Sequence, residues 1–331
     1  LEGLQAKQAL PEDAITAWYS ALKHPSAGVR RNAALSLPGT EATVAQILDA
    51  GLLQDVEPQV RLAANLAIVD ADTQAKAGED LANAMLDKTN LDDQWLRDGL
   101  AAAAARNDLS FLTACAKMQV TGTLDQRVAG IIERVSEHYA RGDNVKSLEV
   151  LLTGLSGTNP DVTAAIISGI STGLSGDRSP KLTPELEKAI VELHDGSDPT
   201  TQSRVIVLAE RWGSKTLSKQ ADALASKLIE TIEDDSLDLQ QRSKAVVDLA
   251  SFRRDDADVV DSLASLLDGR TTPELIDVLV QALKGSNAEG LGPKMADALS
   301  RLTPNSRPKV LSAMLVRSEW TNDLLDCFEE G

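Results

Sequence analysis

Val29-Arg30-Arg31-Asn32-Ala33-Ala34-Leu35-Ser36-Leu37 returns 31 residues later as Val60-Arg61-Leu62-Ala63-Ala64-Asn65-Leu66-Ala67-Ile68, with Ala33 over Ala64 and Leu35 over Leu66. Working outward, the position held by Arg30 recurs at Arg61, Arg97, Arg127, Thr163, Arg204, Arg242, Ile276 and Arg307. The spacing is about 30 to 41 residues, the length of a helix pair too small to bury its own apolar face without neighbours.

Each marker opens the second helix of a pair. The turn before it is rich in Pro, Asp, Ser and Thr, as in His24-Pro25-Ser26, Asp55-Val56-Glu57-Pro58, Asn159-Pro160-Asp161, Asp198-Pro199-Thr200 and Thr272-Pro273. Proline is tolerated in the first helical turn, where its missing N–H has no intrahelical partner, and Asp, Ser and Thr accept bonds from the free amides there. The first helices are predicted over roughly 12–23, 41–50, 74–87, 109–118, 145–154, 183–194, 217–232, 256–268 and 288–302. Leu217, Ala221, Leu224, Leu228 and Ile232 show the helical spacing well. No strand-like alternation of useful length occurs. The predicted fold is all-α, a superhelix of about nine stacked helix pairs running as one solenoid over residues 1–331. Its last segment, 318–331, reads as a capping helix. The stretch 173–181, Gly173 to Lys181, is a Gly/Ser/Pro loop beside the widest spacing. It reads as a flexible joint or a plain insertion, and insertion is the simpler account because the pattern resumes after it.

Composition fits that architecture. Hydrophobic residues are 43% of the chain but aromatics only 3%, so the apolar mass is Ala, Leu, Val and Ile, which lets helix axes approach closely. The net charge of −17 disfavours nucleic acid, whose phosphates need clustered Lys and Arg. No apolar run is long enough to insert into a membrane. Cys115 and Cys327 lie about six repeats apart, too far for a disulfide in a solenoid; both are expected reduced and buried. The chain begins at Leu1 without methionine or a signal-like stretch and is expected to be a piece of something longer.

No catalytic, cofactor-binding or metal-ligating constellation is apparent. His24, His138 and His194 are isolated, and neither a zinc-binding H-E-x-x-H nor a C-x-x-C occurs. Gly213-Ser214-Lys215-Thr216 lacks the upstream glycine and strand of a phosphate loop. Asp234-Asp235 and Asp255-Asp256 read as solvated surface. The ladder of Arg30, Arg61, Arg97, Arg127, Arg204, Arg242 and Arg307 could line an anion site, but a structural role is the stronger reading. Turn carboxylates Asp55, Asp93, Asp125 and Asp238 are placed to pair with it, Arg61 being expected against Asp55 or Asp93. Trp18, Trp95 and Trp212 are expected in the core. Trp320, Leu324, Leu325 and Phe328 fall on one face of the terminal helix. Part of that face should cap the ninth repeat and the remainder should meet a following domain. On that expectation, Trp320→Ala and Phe328→Ala would weaken such binding more than they lower stability.

The quoted copies, together with His24-Pro25-Ser26-Ala27-Gly28, resemble HEAT repeats, and the resemblance runs over essentially the whole chain. Leu91-Asp92-Asp93-Gln94-Trp95-Leu96-Arg97-Asp98 and Ser318-Glu319-Trp320-Thr321-Asn322-Asp323-Leu324-Leu325 are similar to the HEAT region of large planctomycete-type membrane-associated c-type haem dehydrogenases. In that family a β-propeller precedes the array and a haem domain follows it. The resemblance implies a non-catalytic spacer or docking array that carries no cofactor itself and positions the flanking redox domains of an extracytoplasmic protein. The propeller and the haem motif are absent, so neither activity transfers to any residue here. A free-standing adaptor for another protein is the first alternative, and a bilin-lyase-like enzyme the second.

Overall fold

The computed structural model describes residues 12–71, 75–120, 122–142, 145–174 and 179–330. Its described residues contain α-helices and one short 3-10 turn, with no strand. The chain divides into two compact units, Leu1–Leu208 and Ala209–Gly331. The expected joint at 173–181 falls partly on 175–178, which lie outside the described residues.

The first unit holds α1 (Glu12–Ala21), α2 (Ala27–Ser36), α3 (Glu41–Asp49), α4 (Pro58–Val69), α5 (Ala75–Ala84), α6 (Lys88–Asp92), α7 (Gln94–Arg106), α8 (Asp108–Ala116), α9 (Gln126–Arg141), α10 (Val145–Gly154), α11 (Pro160–Gly173) and α12 (Pro184–Asp195). Helix α13 (Pro199–Arg211) contains the division between the units. Two series interleave. In one, α2 packs on α4, α4 on α7, α7 on α9 and α9 on α11; in the other, α3 packs on α5, α5 on α8, α8 on α10 and α10 on α12. The markers sit in the first series. Two short elements depart from the predicted pairs, the 3-10 turn Leu52–Gln54 and α6, both within turns that the periodicity left blank.

Capping chemistry starts the helices where the turn residues place it. Asp93 accepts from the amides of Trp95 and Leu96 to start α7, and Asn159 accepts from Asp161 and Val162 ahead of Pro160 in α11. The α9–α11 contact depends on small residues. A Cβ on Gly169 would lie 2.2 Å from the Glu133 carbonyl oxygen and 2.6 Å from Ser136 Cβ; one on Gly173 would lie 2.6 Å from Ala140 Cβ. Glycine at i and i+4 on α11 therefore seats against Ser136 and Ala140 on α9 at backbone distance.

The second unit holds α14 (Ser218–Glu233), α15 (Leu239–Arg253), α16 (Ala257–Ser265), α17 (Pro273–Lys284), α18 (Leu291–Arg301), α19 (Arg307–Met314) and α20 (Ser318–Glu330). Here α15 packs on α17 and α17 on α19, while α14 packs on α16, α16 on α18 and α18 on α20. Leu249, Val260, Leu263, Leu279, Leu283, Met295, Val310 and Met314 form one continuous buried cluster, closed at its end by Trp320 and Leu324. Asp238 and Gln241 complete a reciprocal capping box at the start of α15.

Candidate interaction site

The ladder arginines act first on the turns. Arg30 donates from Nε and Nη2 to the two carboxylate oxygens of Asp55 at 2.6 and 2.8 Å, and from Nη1 to the carbonyls of His24 and Pro25 at 2.9 Å. Arg61, only 6% exposed, donates to the Asp55 carbonyl at 2.6 Å and to Asn90 Oδ1 at 2.7 Å. Arg97 reaches the Leu91 carbonyl, Arg242 the Ile232 carbonyl at 2.8 Å, and Arg307 the Leu302 carbonyl at 3.2 Å. Each guanidinium thus ties the opening of a second helix to carbonyls of the segment before it. For Arg242 and Arg307 these are at the negative end of the first helix, and for Arg61 and Arg97 they belong to the short elements between the two helices. Several also reach a neighbouring repeat: Arg30 to Asp55, Arg61 to Asn90, and Arg127 to Asp92 at 2.6 Å.

The details differ from the expected carboxylate pairing. Arg61 meets an amide and a carbonyl. Asp93 and Asp238 accept from backbone amides as helix caps, a local bond that forms without fixing a long side chain. Asp55 and Asp125 do pair with ladder arginines, Arg30 and Arg127. The Arg30 hydrogen bonds hold the Asp55 carboxyl below the ordinary carboxylate range, and the Arg127 bonds hold Asp125 down at about 2. The two non-arginine markers follow other rules. Thr163 is buried and bonds Thr158 in its turn, while Ile276 is a core residue. Arg204 is exposed.

The C-terminal edge is also partly reassigned. Trp320 is 5% exposed and Leu324 is buried, both in the core of the second unit, with the Arg317 guanidinium 4.3 Å from the Trp320 ring centroid. Gly292 makes room for them: a Cβ there would meet Trp320 Cδ1 at 2.9 Å and the Asp323 carboxylate. Leu325 stays 55% exposed. The Phe328 side chain lies outside the described residues. Trp320 is therefore a packing residue, and its truncation is a stability change before it is a binding change.

Other expectations are corrected in the same way. Trp95, expected in the core, is 72% exposed in the first turn of α7, where the next residue, Leu96, turns inward instead, whereas Trp212 is buried and Trp18 half-buried. Cys115 is buried, which pushes its thiol up, but Cys327 is exposed. Asp255 and Asp256 are more than solvated surface: Asp255 accepts from the Asn287 amide at 2.7 Å, and Asp256 caps α16. Asp234 accepts from Ser236, and Asp235 pairs with Arg242. Ser214 and Thr216 close the Gly213 turn with their own hydroxyls. His24 accepts from the Ser26 amide in its turn.

Two surface features of the first unit were not singled out by sequence. A cleft of about 500 Å³ is lined by Arg97, Arg127, Gly130 and Arg134, whose arginines largely meet Asp92, Asp98 and Asp125. A larger groove of about 710 Å³ between α5 and α8 is lined by Leu86, Leu109 and Met118 among polar residues. Among the described residues no group of three His, Cys, Asp or Glu is arranged to hold a metal, and no helix is long and apolar enough to cross a membrane. No protein-family model matches the chain. No curated protein matches it either.

Proposed function

We propose that the chain is a HEAT-type α-solenoid working as a non-catalytic interaction or spacer array, with flanking redox domains of a larger dehydrogenase-like polypeptide as its first partners. The observation that carries this reading is the repeated arginine bridge. Arg30, Arg61 and Arg127 each tie one repeat's second helix to the turn of a neighbouring repeat. Such bridges fix repeat-to-repeat register, which is what an array must keep constant to present a surface or hold a spacing. Six of the seven ladder side chains, Arg204 being the exception, are engaged in hydrogen bonds or ion pairs with turns, which favours positioning over anion binding at the same residues.

The test has two arms. The purified chain should be colourless, metal-free and inactive as a dehydrogenase; a haem Soret band or stoichiometric metal that survives washing overturns the non-catalytic reading. The polypeptide encoded on either side of the segment should supply the domains, and calorimetric titration of each against the chain should show saturable binding. No heat at about 100 μM, already weak on the affinity scale, overturns docking to flanking domains.

A further inference from the structure

In the second unit, α15 and α17 leave between them an apolar groove of about 510 Å³ that the ladder does not use. Val247 and Ala250 line it from α15 and Arg254 from just past its end; Asp277, Val278 and Ala282 line it from α17. Arg254, just beyond α15, contacts Gly285, just beyond α17, so the two helices run side by side in the same direction. The small side chains make the floor shallow and apolar, and Val247 is left 59% exposed at its edge. From Val247 to Arg254 the groove extends about 10 Å at the helical rise.

The charges on its rim are unequal. Asp277 is met by Lys309 Nζ at 2.5 Å. Arg253 takes three carboxylates, Glu210, Asp222 and Asp256. Arg254, one residue on, is exposed and has no carboxylate within ion-pair distance among the described residues; its contact is a 3.4 Å approach of Nη1 to the Gly285 carbonyl. A second guanidinium stands near it, since Arg211 donates to the Ser251 carbonyl at 2.8 Å. Burial and the positive charge of Arg254 both push Arg211 down. Of the two charged residues that line the groove, Asp277 is paired and Arg254 is not, while Asp255 beside it is turned to Ser286 and Asn287, so the charge open to a partner is that of Arg254, at one end.

We propose that this groove binds an acidic amphipathic protein segment, an aliphatic side chain seated over Ala250, Val278 and Ala282 and a carboxylate about one helical turn further along paired with Arg254. Apolar burial supplies the anchor, and the single charged end fixes the direction in which the segment lies. This deepens the interaction-array reading and rests on it, but is read at the groove's own residues, whereas the heat of the flanking-domain titration does not locate a surface.

The probe is a capped Ala/Gln-based helical peptide carrying one leucine and one glutamate four residues later, titrated into the 331-residue chain with the Val247 and Val278 methyl resonances observed. Saturable shifts at both methyls with Kd below about 1 mM are expected. Arg254→Gln, a surface change that leaves the core intact, should weaken binding about tenfold, and a peptide with lysine in place of the glutamate should lose at least as much. Ala250→Gln, which fills the groove, should abolish the shifts. Equal affinity for the lysine peptide, or an unchanged Kd in Arg254→Gln, overturns the proposal. So does binding that leaves both valines unmoved. In that last case the groove assignment fails while the array reading stands. Failure of both flanking domains to bind would remove their docking and leave a positive groove result intact.

Discussion

Arg61 combines burial with a full charge, and its neighbours make that tolerable. Its Nε and Nη1 meet Asn90 Oδ1 and the Asp55 carbonyl, while Asn90 in turn donates to the Ala84 carbonyl at 2.9 Å. Hydrogen bonds to charged groups contribute about 1.5–3 kcal/mol, and deleting one partner leaves the others buried without theirs. Arg61→Ala should therefore destabilise by about 1–3 kcal/mol in chemical denaturation; a change below about 0.3 kcal/mol would mean that water replaces the guanidinium without cost. Arg30 makes a different prediction, because its partner titrates. Asp55 is nearly buried against it and its folded pKa is depressed. The pair's contribution is accordingly present above the ordinary aspartate value of about 3.9 and is lost as pH falls through the lower folded value. Arg30→Gln should flatten the loss of stability with acid below about pH 4, and an unchanged slope would show that the pair does not couple to folding. That an arginine recurs here was legible in sequence. The choice of partner was not, because all four turn aspartates accept from backbone amides and only Asp55 and Asp125 also reach a ladder arginine.

At the scale of elements, periodicity located the helix pairs because each apolar stripe has a long, regular neighbour to face. The predicted helix at 217–232 lies within a residue of α14, and that at 145–154 coincides with α10. It missed α6 and the Leu52–Gln54 turn, which are too short for a 3.6-residue period to repeat. It also misplaced Trp95, since composition says that an aromatic prefers burial but cannot say which side of a first turn faces a neighbour; for the terminal face it did not separate Trp320 and Leu324, which are buried, from Leu325, which is exposed. Close helix approach was equally hidden, because Gly169 and Gly173 read as weak helix formers. Gly169→Ala gains about 1 kcal/mol of intrinsic helix propensity. Against that stands a Cβ 2.2 Å from the Glu133 carbonyl, an overlap with backbone that no rotamer relieves. Overpacking of this kind costs about 1–3 kcal/mol, so the variant should be less stable than wild type. A higher midpoint in denaturant would show that α9 and α11 can separate without loss.

The whole molecule is acidic, and within each unit its helices pack on their near neighbours in the two series. On the proposed array reading, stability is a sum of local and nearest-neighbour contributions, so damage at one end should stay local. Trp320 is the place to ask, because it closes the core of the second unit beside Leu324 while Gly292 admits it from α18. Truncating a buried tryptophan costs about 3–5 kcal/mol. In Trp320→Ala, amide hydrogen exchange should accelerate most in α18, α19 and α20 and less in α16 and α14. Exchange in α4 and α7 of the first unit should be unchanged. The gradient follows from the packing order, since α20 rests on α18, α18 on α16 and α16 on α14. Exchange mass spectrometry of wild type and variant under identical conditions distinguishes the outcomes. Equal loss of protection from α4 through α18 would mean that the chain opens in one cooperative step, and the nearest-neighbour account of an array would fall with it.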